Sequence, residues 1–440
     1  MLKIDTGDTA WLLVSTAFVF LMIMPGLALF YGGLVRKKNV LSTIMYSFAA
    51  LILISVEWVL VGYSLSFGPD KFGLIGDLSW IGLSGIGGSP NPDYAATIPA
   101  LVFVAFQMMF AIITPAIISG SIAERMRFNA FALFILFWAV VAYNPVAHWV
   151  WGVGGWIREL GALDFAGGTV VHILSGVSAL VAALVLGKRK RVGKEQFVPH
   201  NIPMVVIGTG LLWFGWFGFN AGSALSANGL AAYAFINTNT AAAAGALAWL
   251  LVEWSHYGKP TSVGAASGAV AGLVAITPAA GFVTPLASII IGLIGGALCY
   301  NSVALLKAKL GYDDALDAFG IHGIGGTWGA VATGLFATTT INEAGANGLF
   351  YGDGSLLTKQ LIAVAATYAM AAVSTFLILK LVSLIVPLRA SQEEEEAGLD
   401  QSLHGEEGYR DYSLGVTDPS YSSKYNQLKV PEQEGYSSTS

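Results

Sequence analysis

Two histidines lie in apolar stretches long enough to cross a bilayer. His172 stands in GGTVVHILSG (167–176), and His322 stands in FGIHGIGGTWGA (319–330). Ionisable groups within a membrane are rare, and they usually face a cavity or the interior of the helix bundle. Because burial disfavours a charged imidazole, we expect both rings to be neutral, each with one donor and one acceptor nitrogen.

Three roles are open to these histidines. They can line a conduit and offer polar atoms to a passing solute, or they can form an interhelical hydrogen bond that only joins two parts of the bundle. A metal site is the third role. It is disfavoured because it needs three or four ligands, and neither stretch offers another His, Cys or carboxylate one turn away. The flanking glycines favour close helix packing.

Aromatic and acidic side chains form a second set of candidates. Phe110, Trp151 and Phe219 lie within or at the ends of apolar stretches. A tryptophan at a membrane interface usually anchors the helix there, but an indole face also attracts a cation by about 0.5–2 kcal/mol. Asp164 is expected to cap the first amides of the following helix, or to concentrate cations near an entrance. Glu57 must be neutral, paired or in contact with water, and the sequence names no partner for it.

The elements that hold these residues are membrane-spanning helices. Of the 440 residues, 55% are hydrophobic and only 11% are charged, against about a quarter charged in soluble domains. A span needs about 20 mostly apolar residues, and roughly eleven such segments can be placed. Their approximate centres are Phe20, Leu53, Met109, Leu136, Ala179, Leu211, Leu247, Leu273, Ile291, Ala330 and Thr375. The predicted fold class is an all-α polytopic membrane protein.

Basic residues are concentrated in alternate loops. They are Arg36, Lys37, Lys38, Arg125, Arg127, Lys188, Arg189, Lys190, Arg191, Lys194, Lys259, Lys307 and Lys309. By the positive-inside rule these loops are cytoplasmic, which predicts a multi-pass protein of the plasma membrane with its N-terminus outside and its C-terminus in the cytoplasm. The opening MLKIDTGDTAW indicates no cleaved signal peptide. The one cysteine, Cys299, lies within a span and indicates neither a disulfide framework nor a cysteine metal site.

The chain also shows signs of an internal repeat. The basic loop 187–201 divides ten spans into five before and five after it. Five is odd, so the halves would have opposite orientations, as in transporters with inverted repeats and a site near the midplane. Each histidine lies in the last span of its half. The motif ALD precedes both, which predicts Asp317 as the counterpart of Asp164. An eleventh span, about 357–388, stands outside the repeat.

The composition changes after Arg389 to SQEEEEAGLDQSLHGEEGY and then to a Ser/Tyr-rich end. This predicts a membrane domain over 1–390 and a cytosolic tail over 391–440, which its composition marks as partly disordered.

Several segments resemble the signature segments of the ammonium transporter family (Amt/Mep/Rh). They are GALDFAGGTVVHI, PHNIPMVVIGTGLLWFGWFGFNAGSA, NTNTAAAAGALAW, FGIHGIGGTWG, ERMRF, GYSLSFG and GAVAGLVAITPAAG. The resemblance covers residues 10–409 approximately. It implies an ammonium-transporter-like bundle of eleven transmembrane helices, built as an inverted five-plus-five helix repeat plus a C-terminal helix. It also implies a homotrimer with one pore in each subunit.

The resemblance assigns roles to individual residues. Trp151, Phe110 and Ser223 match an outer site that recruits ammonium, and Phe110 and Phe219 match the stacked pair that closes the pore beneath it. The two histidines, His172 and His322, match the pair that lines the pore.

Other positions match the family less directly. Asp164 matches an aspartate that is needed for transport and has a structural role. Trp149 competes with Trp151 for the recruiting position, and Trp151 is preferred because it directly precedes a glycine run. Trp151 and Ser223 favour the Amt branch of the family over the Rh branch. Glu57 receives no role. The tail segment GLDQSLHGEEGY implies regulation there, often by a PII signalling protein at the cytosolic face.

The expected function is transport of ammonium, or of ammonia plus a proton, for nitrogen uptake. A dry passage penalises a retained charge by about 2.5–3.5 kcal/mol, which ammonium avoids by losing a proton and potassium cannot. An ammonium sensor that signals through the tail is the first alternative. A water or neutral-solute channel is disfavoured because the aquaporin pattern needs two NPA turns, and only Asn144-Pro145 appears, followed by Val146. An intramembrane enzyme is disfavoured because HExxH and GxSxG are both missing from the sequence. No cofactor, metal or nucleic-acid partner is expected.

Overall fold

The structure is a computed structural model that describes residues 3–190, 192 and 197–409. Arg191, Lys194 and the end of the predicted tail, 410–440, lie outside the described residues. Within them, helices make up the membrane domain. Nine are long and apolar enough to cross a membrane: α1 (Thr6–Leu34), α2 (Lys37–Phe67), α3 (Ala100–Ile122), α4 (Phe128–Leu160), α5 (Gly168–Leu186), α6 (Ile202–Gly222), α7 (Gly229–Tyr257), α9 (Pro285–Leu310) and α11 (Ser355–Ser383). Two more lie in the same bundle, α8 (Ser262–Ile276) and α10 (319–336).

The predicted span centres fall on these eleven helices, in order, and the fold is the expected all-α polytopic bundle. Large apolar side chains such as Leu13, Ile52 and Leu251 are more than half exposed along the outside of the bundle. An apolar surface of this extent is incompatible with water and suits contact with lipid chains.

Helices α5 and α10 cross at glycines. A Cβ on Gly176 would lie 2.2 Å from the backbone nitrogen of Gly323, and one on Gly326 would lie 2.9 Å from Cβ of His172. Small residues let helices approach closely in a membrane, where packing rather than hydrophobic burial drives association. Each helix opens with a π-helical turn, Gly168–Ile173 in α5 and Phe319–Gly323 in α10, and each turn contains one of the histidines.

A carboxylate caps the start of each of these two helices. Asp164 accepts hydrogen bonds from the amides of Gly167 and Gly168, each at 2.7 Å, as the sequence predicts for a helix cap. Asp314 does the same for α10, accepting from the amides of Ala318 at 3.1 Å and Phe319 at 2.7 Å.

The predicted repeat partner, Asp317, is therefore wrong. Its carboxylate instead pairs with the ammonium of Lys307 at 2.6 Å. The shared ALD motif is misleading because it is out of register with the histidines. Asp164 and Asp314 each lie eight residues before a histidine, whereas Asp317 lies five before one.

Loops at one face of the bundle, here called the basic face, are joined by buried ion pairs. Glu124, which follows α3, pairs with Arg36 at 2.9 Å and with Arg189 at 3.1 Å. Asp313, which precedes α10, pairs with Arg189 at 2.9 Å and with Arg125 at 3.6 Å. Because these residues follow α1, α3, α5 and α9, the cluster joins the two halves of the bundle.

The first part of the predicted tail packs against this face. It contains the short helices α12 (Gln392–Ala397) and α13 (Asp400–His404), the second of which is a π-helical turn. The carboxylate of Asp400 accepts from the amides of Leu41 at 3.0 Å and Ser42 at 2.7 Å, so it caps the start of α2. Arg127 also pairs with Glu394 at 2.6 Å. The tail thus contacts the first turns of α2 and the loop before α4.

The opposite face carries the loop 68–99 and is here called the vestibule face. A short hairpin pairs β1 (Asp70–Lys71) with β2 (Ile75–Gly76) in antiparallel register. The indole of Trp149 donates to the carbonyl of Leu74 at 2.8 Å, which ties this loop to the end of α4. This loop is therefore packed onto the bundle.

Candidate functional site

The two histidines meet inside the bundle. Nδ1 of His172 lies 3.2 Å from Nδ1 of His322, and the side chains are almost completely buried. A hydrogen bond between these nitrogens needs one donor and one acceptor, so the two rings hold opposite tautomers. One Nε2 then carries a proton and the other carries a lone pair. Nε2 of His172 has no hydrogen-bond partner among the described residues.

Two stacked phenylalanines lie on one side of the histidine pair. The rings of Phe110 in α3 and Phe219 in α6 stack with their centroids 4.2 Å apart and their planes at 27°. The His172 imidazole lies 6.1 Å from the Phe219 ring and nearly parallel to it. Both phenylalanines are buried. The structure therefore brings together the four residues predicted as gate and pore lining.

An open cavity at the vestibule face begins on the other side of the phenylalanines. Phe110, Trp151, Asp164 and Ser223 all line it. The Trp151 ring stands perpendicular to Phe110, with centroids 5.8 Å apart. Of the two tryptophans considered from the sequence, Trp151 faces this cavity, whereas Trp149 packs against Trp156 at 5.7 Å.

Backbone contacts fix these vestibule residues. The indole of Trp151 donates from Nε1 to the carbonyl oxygen of Asp164 at 2.9 Å. The hydroxyl of Ser223 donates to the carbonyl of Phe219 at 2.8 Å, which leaves its oxygen lone pairs as acceptors. Burial raises the pKa of Asp164, while hydrogen bonds from Thr169, Gly167 and Gly168 act in the opposite direction. Asp164 thus holds both the start of α5 and the Trp151 ring.

Two residues of the site were missed from the sequence. Gln107 lines the vestibule, and its Oε1 is buried without a hydrogen-bond partner among the described residues. Trp216 stacks on His172 with centroids 5.4 Å apart and planes at 26°. Each lies three residues before a gate phenylalanine, so helical spacing places it on the same face of its helix. That spacing is the signal that could have found them.

A second cavity lies against the histidines on the side of the basic face. Its wall is almost wholly apolar and includes Leu27, Phe30, Leu212 and Ile321 as well as both histidines. Beyond the phenylalanine pair, the polar atoms that a solute meets in this region are therefore mainly those of the two imidazoles. Such a passage suits a small neutral molecule that can both accept and donate a hydrogen bond.

The structure supplies the partner of Glu57 that the sequence could not. Its Oε1 accepts a hydrogen bond of 2.8 Å from the side-chain amide of Asn144 in α4. Glu57 is not among the residues that line either cavity at the histidines or the vestibule. Within the described part of the chain, no group of three or more His, Cys, Asp or Glu is placed to hold a metal ion.

The fold and these cavities define a polytopic membrane protein of the transporter class. The family model "Ammonium Transporter Family" matches residues 10–409. The chain is 62% identical over 405 residues to an ammonium transporter of Bacillus subtilis (strain 168), covering 92% of this chain and 99% of the relative. It therefore belongs to the ammonium transporter family.

Solved structures agree with this assignment. Mep2 of Saccharomyces cerevisiae is 38% identical and superposes with a TM-score of 0.82, covering 89% of each chain. A protein described as a sensor Amt protein is 30% identical with a TM-score of 0.82, covering 90% of this chain and 97% of that one.

Proposed function

We propose that the protein moves ammonium across the membrane through the path formed by the vestibule, the phenylalanine pair and the histidine pair. The observation that supports this proposal is the order of these groups along the path. An aromatic vestibule that can hold a cation is separated by stacked Phe110 and Phe219 from a dry passage with a hydrogen-bonded His172–His322 pair.

Recruitment takes place in the vestibule. The Trp151 face attracts the cation, and the Ser223 oxygen accepts an N–H hydrogen bond from it. Potassium shares the charge but has no N–H donors and no proton to lose. The vestibule therefore distinguishes the two ions by hydrogen bonding and not by charge.

Ammonium releases its proton to water in the open vestibule before the solute passes the phenylalanines. A charge retained in the dry passage costs about 2.5–3.5 kcal/mol on insertion scales, which ammonia avoids. Ammonia then donates to one imidazole and accepts from the other, since the pair presents one lone pair and one N–H. The histidine pair can also carry the released proton, and the cargo is then ammonia plus a proton.

The wider assignments belong to the same proposal. The basic face lies in the cytoplasm and the vestibule face lies outside, in a multi-pass protein of the plasma membrane that works as a homotrimer. Residues 1–390 form the transporter domain, and 391–440 form a regulatory tail to which a PII signalling protein binds. The contacts of Asp400 with the start of α2 support a tail that senses the basic face.

A sensor is the second candidate function. The resemblance to the solved sensor Amt protein favours it, as does the packing of the tail on the basic face. A sensor needs the vestibule site but not the histidine passage, so transport measurements separate the two functions.

The test is current and internal pH in proteoliposomes after an ammonium pulse and, separately, a potassium pulse. A current with ammonium alone supports selective electrogenic transport, and an internal pH rise without current supports net ammonia passage. No response to either pulse from folded protein would reject transport and favour the sensor.

A further inference from the structure

Glu57 is a buried carboxylate away from the proposed conduction path. Its residue exposure is 6%, and the second carboxylate oxygen, Oε2, has no hydrogen-bond partner among the described residues. A carboxylate in this setting costs free energy unless another interaction offsets it. Among the described residues, the one side-chain hydrogen bond that Glu57 makes with another helix comes from Asn144 to Oε1, at 2.8 Å.

The helices are irregular at both ends of this hydrogen bond. A π-helical turn, Trp58–Gly62, follows Glu57 directly in α2, and another, Ala139–Tyr143, directly precedes Asn144 in α4. Such turns are rare and occur often at functional sites. The carboxylate lies over Gly62, where a Cβ would be 2.6 Å from Oε2. The α2 backbone is therefore shaped to let Glu57 reach α4.

Asn144 begins the α-helical segment Asn144–Trp151 within α4, and this segment ends at the vestibule tryptophan. The segment is about 12 Å long at 1.5 Å per residue. Contacts with α2 and the hairpin hold one face of it. Asn144 Oδ1 accepts from the Ser66 hydroxyl at 3.3 Å, and His148 lies one turn further on.

The His148 ring connects the same segment to the vestibule face. Its Nδ1 lies 3.0 Å from the carbonyl oxygen of Ser66, and its Nε2 lies 2.9 Å from Oδ1 of Asp70 in β1. A continuous set of hydrogen bonds thus runs from the hairpin through His148 and Asn144 to Glu57. Trp151 stands at the end of the helical segment that this set of bonds holds.

We propose that Glu57 is a positioning residue for the ammonium-recruiting site. By accepting the Asn144 hydrogen bond it fixes the height and rotation of the segment Asn144–Trp151, and thereby the indole of Trp151 above Phe110. The inference rests on the proposed recruitment of ammonium at Trp151. It assigns to Glu57 an effect on ammonium affinity and not on the conduction step.

The test compares Glu57→Leu, Glu57→Gln and the control Val56→Leu, which alters a neighbouring side chain that is 57% exposed on the outside of the bundle. Ammonium uptake by proteoliposomes gives KM and the maximum rate. Glu57→Leu should raise KM about three- to tenfold, where tenfold corresponds to 1.4 kcal/mol, with an unchanged maximum rate. Glu57→Gln keeps an oxygen acceptor for Asn144 and should retain the KM of the unaltered protein, as should Val56→Leu.

A double-mutant comparison shows whether Glu57 acts through the tryptophan. In a Trp151→Leu background, Glu57→Leu should cause no further rise in KM, because the indole that it positions is gone. Should Glu57→Leu fail to fold, Asn144→Leu removes the same hydrogen bond and carries the same comparison.

Three results would overturn the inference: an unchanged KM in Glu57→Leu, an equal rise in Glu57→Gln, or additive effects with Trp151→Leu. Each of these results is a comparison with the unaltered protein, which must therefore transport ammonium with a measurable KM. Absence of saturable ammonium transport in the unaltered protein would instead reject the proposed function itself.

Discussion

Nδ1 of His172 and Nδ1 of His322 lie 3.2 Å apart, although the two residues are separated by 150 positions in the chain. The contact requires opposite tautomers, so the pair presents one hydrogen-bond donor and one acceptor to a solute. It depends on the glycine crossing of α5 and α10, since Gly176 leaves no room for a Cβ beside Gly323.

Replacing either histidine by alanine should slow ammonium transport. Each variant, His172→Ala or His322→Ala, removes one polar partner from the dry passage. Leaving a solute without a hydrogen bond there costs about 1–3 kcal/mol, which corresponds to roughly a 5- to 160-fold lower rate. Uptake by proteoliposomes measures the effect, and intact helical content by circular dichroism is the control. An unchanged rate in both variants would contradict a role for the pair in conduction.

Replacing the vestibule tryptophan should weaken recruitment. Trp151→Leu removes the cation–π attraction of about 0.5–2 kcal/mol, so KM for ammonium should rise by roughly two- to thirtyfold. Trp149→Leu is the matched control, because that indole bonds to the Leu74 carbonyl and packs on Trp156. Equal rises of KM in the two variants would show that the vestibule face, and not the Trp151 face, sets affinity.

The two capping aspartates should matter equally for stability. Asp164→Ala and Asp314→Ala each remove a helix cap, at a cost of about 0.5–2 kcal/mol, and both should lower Tm. Asp353→Ala serves as the comparison, since Asp353 accepts from the amide of the exposed residue Ser355. We expect Asp164→Ala to impair transport in addition, because its carboxylate cap also places the π-helical turn that contains His172. A normal Tm for Asp314→Ala would argue against Asp314 as the repeat counterpart.

Asp313 should stabilise the fold at neutral pH. Burial opposes its ionisation, but hydrogen bonds and charge from Arg189, together with Arg125, lower the pKa of Asp313 from 3.8 to about 2. Since the folded pKa lies below the unfolded one, the stabilisation is fully present above pH 4 and is lost as the pH falls through 2. Its size from the shift is about 2 kcal/mol.

Asp313→Asn tests this directly. Removing one partner of a buried pair costs about 3–5 kcal/mol, so Tm at pH 7 should fall clearly, and the difference from the unaltered protein should shrink towards pH 3. Glu343→Gln, at an exposed position, is the control. A difference in Tm that stays constant from pH 7 to pH 3 would exclude a contribution from Asp313 ionisation.

The sequence predicts the membrane class and the helices because both depend on local composition. The apolar composition of a run such as ALVFVAFQMMFAIITPAIISGSI indicates that it lies in the membrane. All eleven predicted centres fall on helices. The role of Asp164 as a helix cap is likewise local, since the amides that it binds follow it within six residues. The residue that corresponds to Asp164 in the second half cannot be identified from near neighbours in this way. The three-letter motif ALD pointed to Asp317, whereas the structure shows that Asp314 is the counterpart.

The sequence could not predict which residues of different helices lie close together. Nothing in the pattern around Glu57 points to Asn144, because the two residues lie 87 positions apart and meet only through π-helical turns in different helices. The stacking of Trp216 on His172 and the unpartnered Oε1 of Gln107 are of the same kind.

By itself the sequence determined which residues lie within membrane-spanning helices and which lie at their ends, since hydropathy and helix capping depend on near neighbours in the chain. Only the tertiary structure decided which of them touch. The close glycine contacts of α5 with α10 bring the two imidazoles together, and the Phe110 ring of α3 stacks on the Phe219 ring of α6. Such contacts arise from helix packing, whose energy depends on the shapes of two surfaces that are distant in the chain.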